Sequence, residues 1–232
     1  MSRHPEAAFW LCVGDIATGD GRYESLDAPI YWIHGNNDNF DAIAAADLPR
    51  DLHHIRNGTA VDIAARPGRR APSGPFAEPS ATAEGKRSGV LRVAGLGGTF
   101  APTWYESRAA DLPHPKKGSA KATELADKRR HFVREEAEAA AALRGVDVFM
   151  THEAAQPFRP FPGGRGPDAG KAQINEILAA MRPRLHLFGH HHRLTDEERE
   201  GVRSIGLDLV TRSYLLVEAE SVAVQVIKSE DR

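Results

Sequence analysis

The apolar segments of this chain are short, and most of them end at a glycine or a polar side chain. The segments "FWLCVG", "IYWIHG", "VLRVAGLGG", "VFMTH" and "RLHLFGHHH" follow this pattern. Segments of this kind are typical of buried strands in a parallel or mixed sheet. Helical patterns lie between several of them, at "NFDAIAAAD", at residues 119–145 and at "KAQINEILAAM". The alternation predicts an α/β fold, and three closely spaced strand patterns near the end of the chain favour two sheets over one.

Three other segments carry specific local predictions. The pair Asn57-Gly58 predicts a hairpin between two strands within "LHHIRNGTAVDIAA". Residues 119–145 predict the longest helix, which ends at Gly145. Residues 66–88 are rich in Pro, Gly, Ala and Ser without periodicity, which predicts a flexible insertion. Because 232 residues suit one large α/β core, we expect a single domain over residues 1–232.

Charge and hydropathy narrow the function classes. Thirty basic and 32 acidic side chains give a formal charge of −2, which argues against a general polyanion binder, so any nucleic-acid contact would have to be local. No apolar segment approaches the length of a membrane span, and the first residues have no apolar signal-peptide core. We therefore expect a soluble cytoplasmic protein without a membrane partner. Its single cysteine, Cys12, excludes an intramolecular disulfide.

Polar side chains follow four of the predicted strands, at the point where each strand ends. "VGD" ends at Asp15, "HGNND" contains Asn36, "MTHE" contains His152, and "GHHH" contains His190 and His192. Functional groups gather at the carboxyl ends of strands in open α/β sheets, so these side chains can converge. Carboxylate, amide and imidazole groups are ligands for Mn, Fe or Zn. The combination therefore predicts a metal site.

Each residue also has a structural interpretation when it is taken alone. Asp15 or Asn36 could be a turn or cap residue, and His152 a hydrogen-bonded histidine at a strand end. The joint order and placement favour the metal site. The "GGRG" segment before a helix could offer Arg165 to a substrate phosphate, or it could simply be a flexible loop.

The ordered motifs resemble those of the calcineurin-like metallophosphoesterases. That family carries Gly-Asp, Gly-Asn-His-Asp/Glu, a strand-terminal His and Gly-His-x-His in this order, and the likeness covers nearly the whole chain apart from residues 66–88. The chain is similar to a bacterial member, with a weaker likeness to the lariat debranching branch in "LCVGDI…WIHGNNDN…LGGTF". The resemblance implies a sandwich of two β-sheets flanked by helices, in four layers of αββα order.

The resemblance also implies roles for the matching residues. Asp15 would bridge two metal ions, Asn36, His152 and His190 would complete one site, and His192 would bind the second ion. Two divalent ions clamp a phosphate and generate hydroxide at neutral pH, as in other two-metal hydrolases. Asn36 is also a candidate substrate ligand, and Arg165 is a second candidate for the reason given above, independently of the resemblance.

Two departures from the family pattern affect the chemistry. Met1–Ala8 contain no Asp-x-His, so either the true N-terminus, with its strand, is missing from the chain or the second metal site is incomplete. Asn37 stands where the family usually has a histidine, and an amide cannot act as a general acid near pH 7. His34 or His191 could substitute for it. The candidate catalytic residues are Asn37, at the position of the family histidine, His191, which could replace that histidine, and Asp38. We expect Asp38 to position the loop without binding metal.

The function expected from these features is metal-dependent hydrolysis of a phosphodiester or phosphomonoester. The expected substrate is a small-molecule or nucleotide phosphate ester. A nucleic acid, for which the sequence gives no support, a phospholipid head group and a phosphoprotein stay open as alternatives. The alternative is a non-catalytic interaction module on the same fold, like the retromer subunit that resembles a phosphoesterase and serves as a scaffold. One nearly intact ligand set favours the enzyme, whereas the missing first motif favours the module.

Overall fold

The structure is a computed structural model that describes residues 4–64, 89–115, 125–161 and 166–229. The predicted insertion at residues 66–88 and the candidate substrate ligand Arg165 lie outside these ranges. The strands are β1 (Trp10–Cys12), β2 (Ile30–Trp32), β3 (Leu52–His54), β4 (Thr59–Ala64), β5 (Val90–Leu96), β6 (His114–Pro115), β7 (Leu125–Ala126), β8 (Val148–Thr151), β9 (Leu185–Phe188), β10 (Thr195–Arg199), β11 (Val202–Gly206), β12 (Ser213–Val217) and β13 (Val224–Lys228).

The helices are few and short. They are α1 (Phe40–Ala45), α2 (Pro102–Tyr105), α3 (Arg134–Ala142) and α4 (Ala172–Met181), with one turn of 3-10 helix at Ala109–Asp111. At ten residues, α4 is the longest helix of the described ranges. None of the helices in these ranges is long and apolar enough to cross a bilayer.

In the part of the chain that the structure describes, the strands form two main sheets and two separate hairpins. A three-stranded parallel sheet has the order β1-β2-β3, and a six-stranded sheet has the order β10-β11-β9-β8-β5-β4. The four inner strands of the larger sheet run parallel, while β10 and β4 pair antiparallel at its edges. The pairs β12-β13 and β6-β7 are antiparallel hairpins. The parallel strands therefore bring their carboxyl ends to one edge of each sheet.

The two sheets pack face to face. Val93, Met150 and Leu187 lie on successive strands of the larger sheet and point toward the smaller one, where they share a core with Val13 and Ile33. Because side chains alternate along a strand, their neighbours point to the opposite face. This inter-sheet core holds the ends of β1 and β2 against the ends of β8 and β9.

Helices cover the outer faces of both sheets. Phe149 of β8 packs against Ile174 and Leu178 of α4 in the core on the outer side of the larger sheet. Trp32 of β2 is fully buried, in a core that includes Ile43 of α1. The layers therefore follow the order helix, sheet, sheet, helix, and the predicted αββα sandwich is confirmed. A single parallel sheet is excluded.

The predicted hairpin at Asn57-Gly58 is wrong. The strands on either side of this turn do not pair, since β3 pairs with β2 and β4 pairs with β5. Asn57 Oδ1 accepts a hydrogen bond from the Gly97 amide at 2.6 Å, and Asn57 Nδ2 donates to Glu136 Oε2 at 3.1 Å. These contacts to the larger sheet and to α3 make the turn a crossing point from one sheet to the other.

The predicted long helix at residues 119–145 is also wrong in extent. Within the described ranges only Arg134–Ala142 is helical, and Gly145 lies beyond the end of the helix. His131 pairs with Thr99 in a parallel bridge, and its amide donates to the Lys128 carbonyl at 3.0 Å, so the residues before the helix form a turn instead of extending it. The Glu136 carboxylate accepts from the Val133 amide at 3.0 Å and fixes the start of the helix after Val133.

Candidate metal centre

The carboxyl ends of β1, β2, β8 and β9 meet at one edge of the sandwich. The residues that follow these strands contain Asp15, Asn36, His152 and His190. The contact that joins the two sheets here runs from the His152 imidazole, where Nδ1 lies 2.8 Å from the Val13 carbonyl oxygen. The packing of the sandwich thus brings residues that are far apart in sequence to one point.

The backbone around this point is unusually constrained. Asp15, His190 and His192 have φ values of 56°, 63° and 48°, in the left-handed region that residues other than glycine rarely adopt. Such conformations cluster at functional sites and persist only when surrounding contacts hold them. Gly35 allows the close approach of the two loops, since a Cβ at this position would lie 2.0 Å from Asp15 Oδ1.

Asp38 supplies the contacts that hold these loops. Its Oδ2 accepts hydrogen bonds from the amides of Asp15 at 2.9 Å and Gly35 at 2.7 Å. Its Oδ1 accepts from the amides of Ile16 at 3.1 Å and Ala17 at 3.0 Å. The side chain is buried and uses both oxygens on backbone donors. Asp38 therefore ties the end of β1 to the end of β2, and its position is that of a loop-positioning residue.

Four side chains present ligand atoms to one another at this edge. One ligand atom from each of Asp15, His152 and His190 lies within 4.8 Å of the other two. His152 Nε2 is 3.1 Å from His190 Nδ1, 3.1 Å from Asn36 Oδ1 and 3.6 Å from Asp15 Oδ2. His152 is buried and the other groups are partly exposed. The cluster combines one carboxylate, one amide oxygen and two imidazole nitrogens.

The chemistry of this donor set fits a divalent cation. Because His152 Nδ1 lies against the Val13 carbonyl, an acceptor only, this nitrogen carries the proton of the neutral ring and Nε2 carries a lone pair. Asn36 Nδ2 donates to Asn37 Oδ1 at 3.1 Å, which turns Asn36 Oδ1 toward His152. Two acceptors then face each other at 3.1 Å. A cation between them, bound also by Asp15, satisfies both lone pairs.

His190 and His192 come from the same motif, but only His190 belongs to the ligand cluster. Burial is the main cause that lowers the pKa of His190, which favours the neutral, ligating form of its ring. His192 is not part of the cluster of ligand atoms formed by Asp15, His152 and His190. The structure therefore brings together four of the five predicted ligands and leaves His192 beside them.

The predicted catalytic residues Asn37 and His191 have clear but different contacts. The Asn37 amide N–H and side-chain Nδ2 both donate to the Asp15 carboxylate, at 2.9 and 3.1 Å. The His191 ring packs on Phe158 with centroids 4.6 Å apart. Burial lowers the pKa of His191 to about 4, and lowers that of His34 to about 3. Both rings are neutral near pH 7, so neither is a ready proton donor.

A cleft of about 490 Å³ opens beside the cluster. Its walls are formed by Ala17, Thr18, Gly19, Gly21, Asn36, Asn37, Asp38, Asn39, Phe40, Asp41, Asp127 and Arg130. Arg130 was not identified as a site residue from the sequence, because it falls within a segment whose composition predicts helix. Of the four residues of the candidate centre, Asn36 lines the cleft, next to Asn37 and Asp38.

Comparison with known protein families places this site in context. The profile of the calcineurin-like phosphoesterases matches residues 2–194. The chain belongs to the calcineurin-like phosphoesterase family. Membership of this family implies metal-dependent hydrolysis of phosphate esters in general, and the described cluster of Asp15, His152 and His190 is a candidate metal site for it.

Two solved structures are similar to this calcineurin-like phosphoesterase. The crystal structure of TT1561 of Thermus thermophilus aligns with 14% sequence identity and a TM-score of 0.48, over 88% of this chain and 73% of that protein. A second crystal structure aligns with 11% identity and a TM-score of 0.49, over 88% of this chain and 66% of the other. A search of curated protein sequences finds no significant match.

Proposed function

We propose that this calcineurin-like phosphoesterase hydrolyses phosphate esters at a metal centre built from Asp15, Asn36, His152 and His190. The observation that carries the proposal is the approach of two hydrogen-bond acceptors, His152 Nε2 and Asn36 Oδ1, to 3.1 Å beside the Asp15 carboxylate. A cation bound between these two atoms would replace their acceptor-to-acceptor contact by two metal–ligand bonds. Mn, Fe and Zn are the metals that suit these ligands.

The residues around the ligands fix their orientation. The Val13 carbonyl holds His152 in the tautomer that presents a lone pair at Nε2. Two hydrogen bonds from Asn37 orient the Asp15 carboxylate. Asp15, Asn36, His152 and His190 would hold the ion, which would supply Lewis-acid activation of the phosphate ester and of water. The protein supplies preorganised ligands and a cleft for the ester group.

We propose that one ion binds more tightly than a second. Four donors surround the first position, whereas Asp15 and His192 are the described candidates for the second, and His192 lies outside the ligand cluster. A two-ion clamp on the phosphate should then form at higher metal concentration. The leaving group should receive its proton from solvent or substrate, because Asn37 carries an amide and the His191 ring is neutral near pH 7.

Hydrolysis of bis-p-nitrophenyl phosphate and of p-nitrophenyl phosphate in the presence of Mn²⁺ tests this function and separates diesterase from monoesterase activity. His152→Ala removes the central ligand and should reduce turnover by at least about 10², as expected when catalysis depends on the metal. His53→Ala is the matched control, because His53 is an exposed histidine that stacks on Tyr31 outside the site. Equal turnover of wild type and His152→Ala would overturn the proposal.

A non-catalytic interaction module remains the second candidate function, and the state of Asn37 is the observation that favours it. Its backbone N–H and its side-chain Nδ2 each donate to Asp15, and a carboxamide cannot protonate a leaving group near pH 7. Under this alternative the wild-type protein binds Mn²⁺ with an affinity that depends on His152, while neither ester is hydrolysed above the rate with His152→Ala.

A further inference from the structure

Two adjacent arginines lie beside the cleft and differ in their contacts. Arg129 Nη2 donates to Asp41 Oδ1 at 2.6 Å and to Asp127 Oδ2 at 2.7 Å, and its Nη1 donates to the Phe40 carbonyl at 3.3 Å. Arg130 uses its Nε, which donates to the Asp127 carbonyl at 3.1 Å. Within the described ranges, Nη1 and Nη2 of Arg130 have no acceptor, and the side chain is exposed. The terminal nitrogens of Arg129 are therefore bonded to acceptors of the protein, whereas Nη1 and Nη2 of Arg130 are available to a ligand.

The backbone holds Arg130 in a fixed relation to the candidate centre. Its carbonyl accepts a hydrogen bond from the Thr99 amide at 2.8 Å, and the neighbouring Gly98 amide donates to the His34 carbonyl at 2.8 Å. His34 lies two residues before Asn36 in the same strand-end loop. This chain of backbone contacts sets Arg130 in the wall of the cleft that also contains Asn36.

The carboxylates that line the cleft bond to groups other than the Arg130 guanidinium. Asp38 uses both oxygens on backbone amides, and Asp41 and Asp127 are paired with Arg129. Among the described residues that line the cleft, Arg130 is the only cation. A guanidinium with two free terminal nitrogens matches the oxygens of a phosphate better than a single point charge does.

We propose that Arg130 binds a phosphate oxyanion of the substrate in the cleft that Asn36 and Asn37 also line. This inference rests on the proposed function for the identity of the ester and deepens it. The cleft of about 490 Å³ has room for a phosphate and for part of the organic group attached to it. The bound oxyanion belongs either to the scissile phosphate or to a second phosphate on the same substrate.

Binding of inorganic phosphate to the Mn²⁺-loaded protein, measured by calorimetry, tests the inference without turnover. Arg130→Gln should weaken phosphate binding by about tenfold or more, as expected for the loss of charge-assisted hydrogen bonds. Arg130→Lys keeps the charge but loses the fork, so its affinity should fall between the two. Arg144→Gln is the matched control, since Arg144 is exposed and donates to carbonyls at the end of α3, at 2.7 and 2.8 Å.

Substrate kinetics distinguish the two sources of the oxyanion. Under the inference, Arg130→Gln raises KM more than it changes kcat, because the contact is present before the reaction. A raised KM for p-nitrophenyl phosphate assigns Arg130 to the scissile phosphate. A raised KM for a nucleoside diphosphate, with that for p-nitrophenyl phosphate unchanged, assigns it to a second phosphate.

The outcomes also separate this inference from the proposed function. Phosphate binding that depends on Arg130, in a wild-type protein that hydrolyses no ester, would support the inference and count against the enzyme. Unchanged phosphate affinity in folded Arg130→Gln would overturn the inference whatever the turnover. The absence of phosphate binding to the wild-type protein at millimolar concentration would overturn it as well.

Discussion

Asp38→Asn should destabilise the protein strongly, because the native carboxylate accepts four backbone hydrogen bonds. Oδ1 accepts from Ile16 and Ala17, and Oδ2 accepts from Asp15 and Gly35. An asparagine amide has one oxygen, so in either orientation two backbone N–H groups face an NH₂ group that is itself a donor. Leaving a buried donor unpaired costs about 1–3 kcal/mol. For two such donors we expect a loss of roughly 2–6 kcal/mol in the free energy of unfolding.

Urea denaturation followed by circular dichroism measures this change directly. The matched control is Asp41→Asn, which makes the same substitution at a carboxylate whose side chain is 89% exposed and should change stability little. Asp38→Asn should also weaken Mn²⁺ binding, because it releases the loop that carries Asp15. If Asp38→Asn and Asp41→Asn unfold at the same urea concentration as wild type, the account of Asp38 as the tie between the loops is wrong.

Two further changes test other parts of the account. Gly35→Ala places a methyl group 2.0 Å from the native position of Asp15 Oδ1, so the carboxylate must move. Calorimetry should then show that the affinity for Mn²⁺ falls by about tenfold or more. An affinity equal to that of the wild-type protein would contradict the assigned packing. Burial lowers the pKa of His186 from 6.5 to about 3 in the folded protein, so the unfolded state binds more protons between these values and stability is lost as the pH falls through this window. The loss is on the order of 1.4 kcal/mol per pH unit for this group. Urea denaturation at pH 7.5 and 5.0 should show a smaller dependence for His186→Gln than for wild type, and an equal dependence would refute this assignment.

The strands of the core were predictable because their signal is local. Each of β1, β2, β5, β8 and β9 is an apolar run in the sequence, and each is found. The strand β10 (Thr195–Arg199) was not predicted, because "TDEER" has no apolar alternation. It pairs with β11 at the edge of the sheet, where polar side chains remain in water and the backbone supplies the hydrogen bonds.

Pairing partners were harder to predict than elements. The Asn57-Gly58 signal correctly marks a turn, but a turn residue does not determine which strands pair across it. The contacts of Asn57 with Gly97 and Glu136 come from distant parts of the chain. The same holds for the start of α3, where pairing of His131 with Thr99 overrides the helical composition of the segment.

The sequence predicts those site residues that lie just after the ends of strands. Asp15, Asn36, His152 and His190 follow directly after buried strands, so their convergence follows from the order of the sheets. The sequence does not show that His192, two residues after His190 in the same motif, lies outside the ligand cluster, because that depends on the path of the loop after β9. Arg130 lies in the wall of the cleft because its carbonyl accepts a hydrogen bond from the Thr99 amide, which is distant in sequence. Only the tertiary structure shows this contact.

The central claim is that these four strand-end side chains bind one metal ion between them. A crystal structure of the protein grown with Mn²⁺, with anomalous diffraction measured near the manganese edge, tests this claim most directly. The account predicts an anomalous peak bonded to Asp15, Asn36, His152 Nε2 and His190 Nδ1, and no peak there in His152→Ala. A wild-type structure in which manganese binds elsewhere, while Asn36 Oδ1 and His152 Nε2 stay in direct contact, would contradict it.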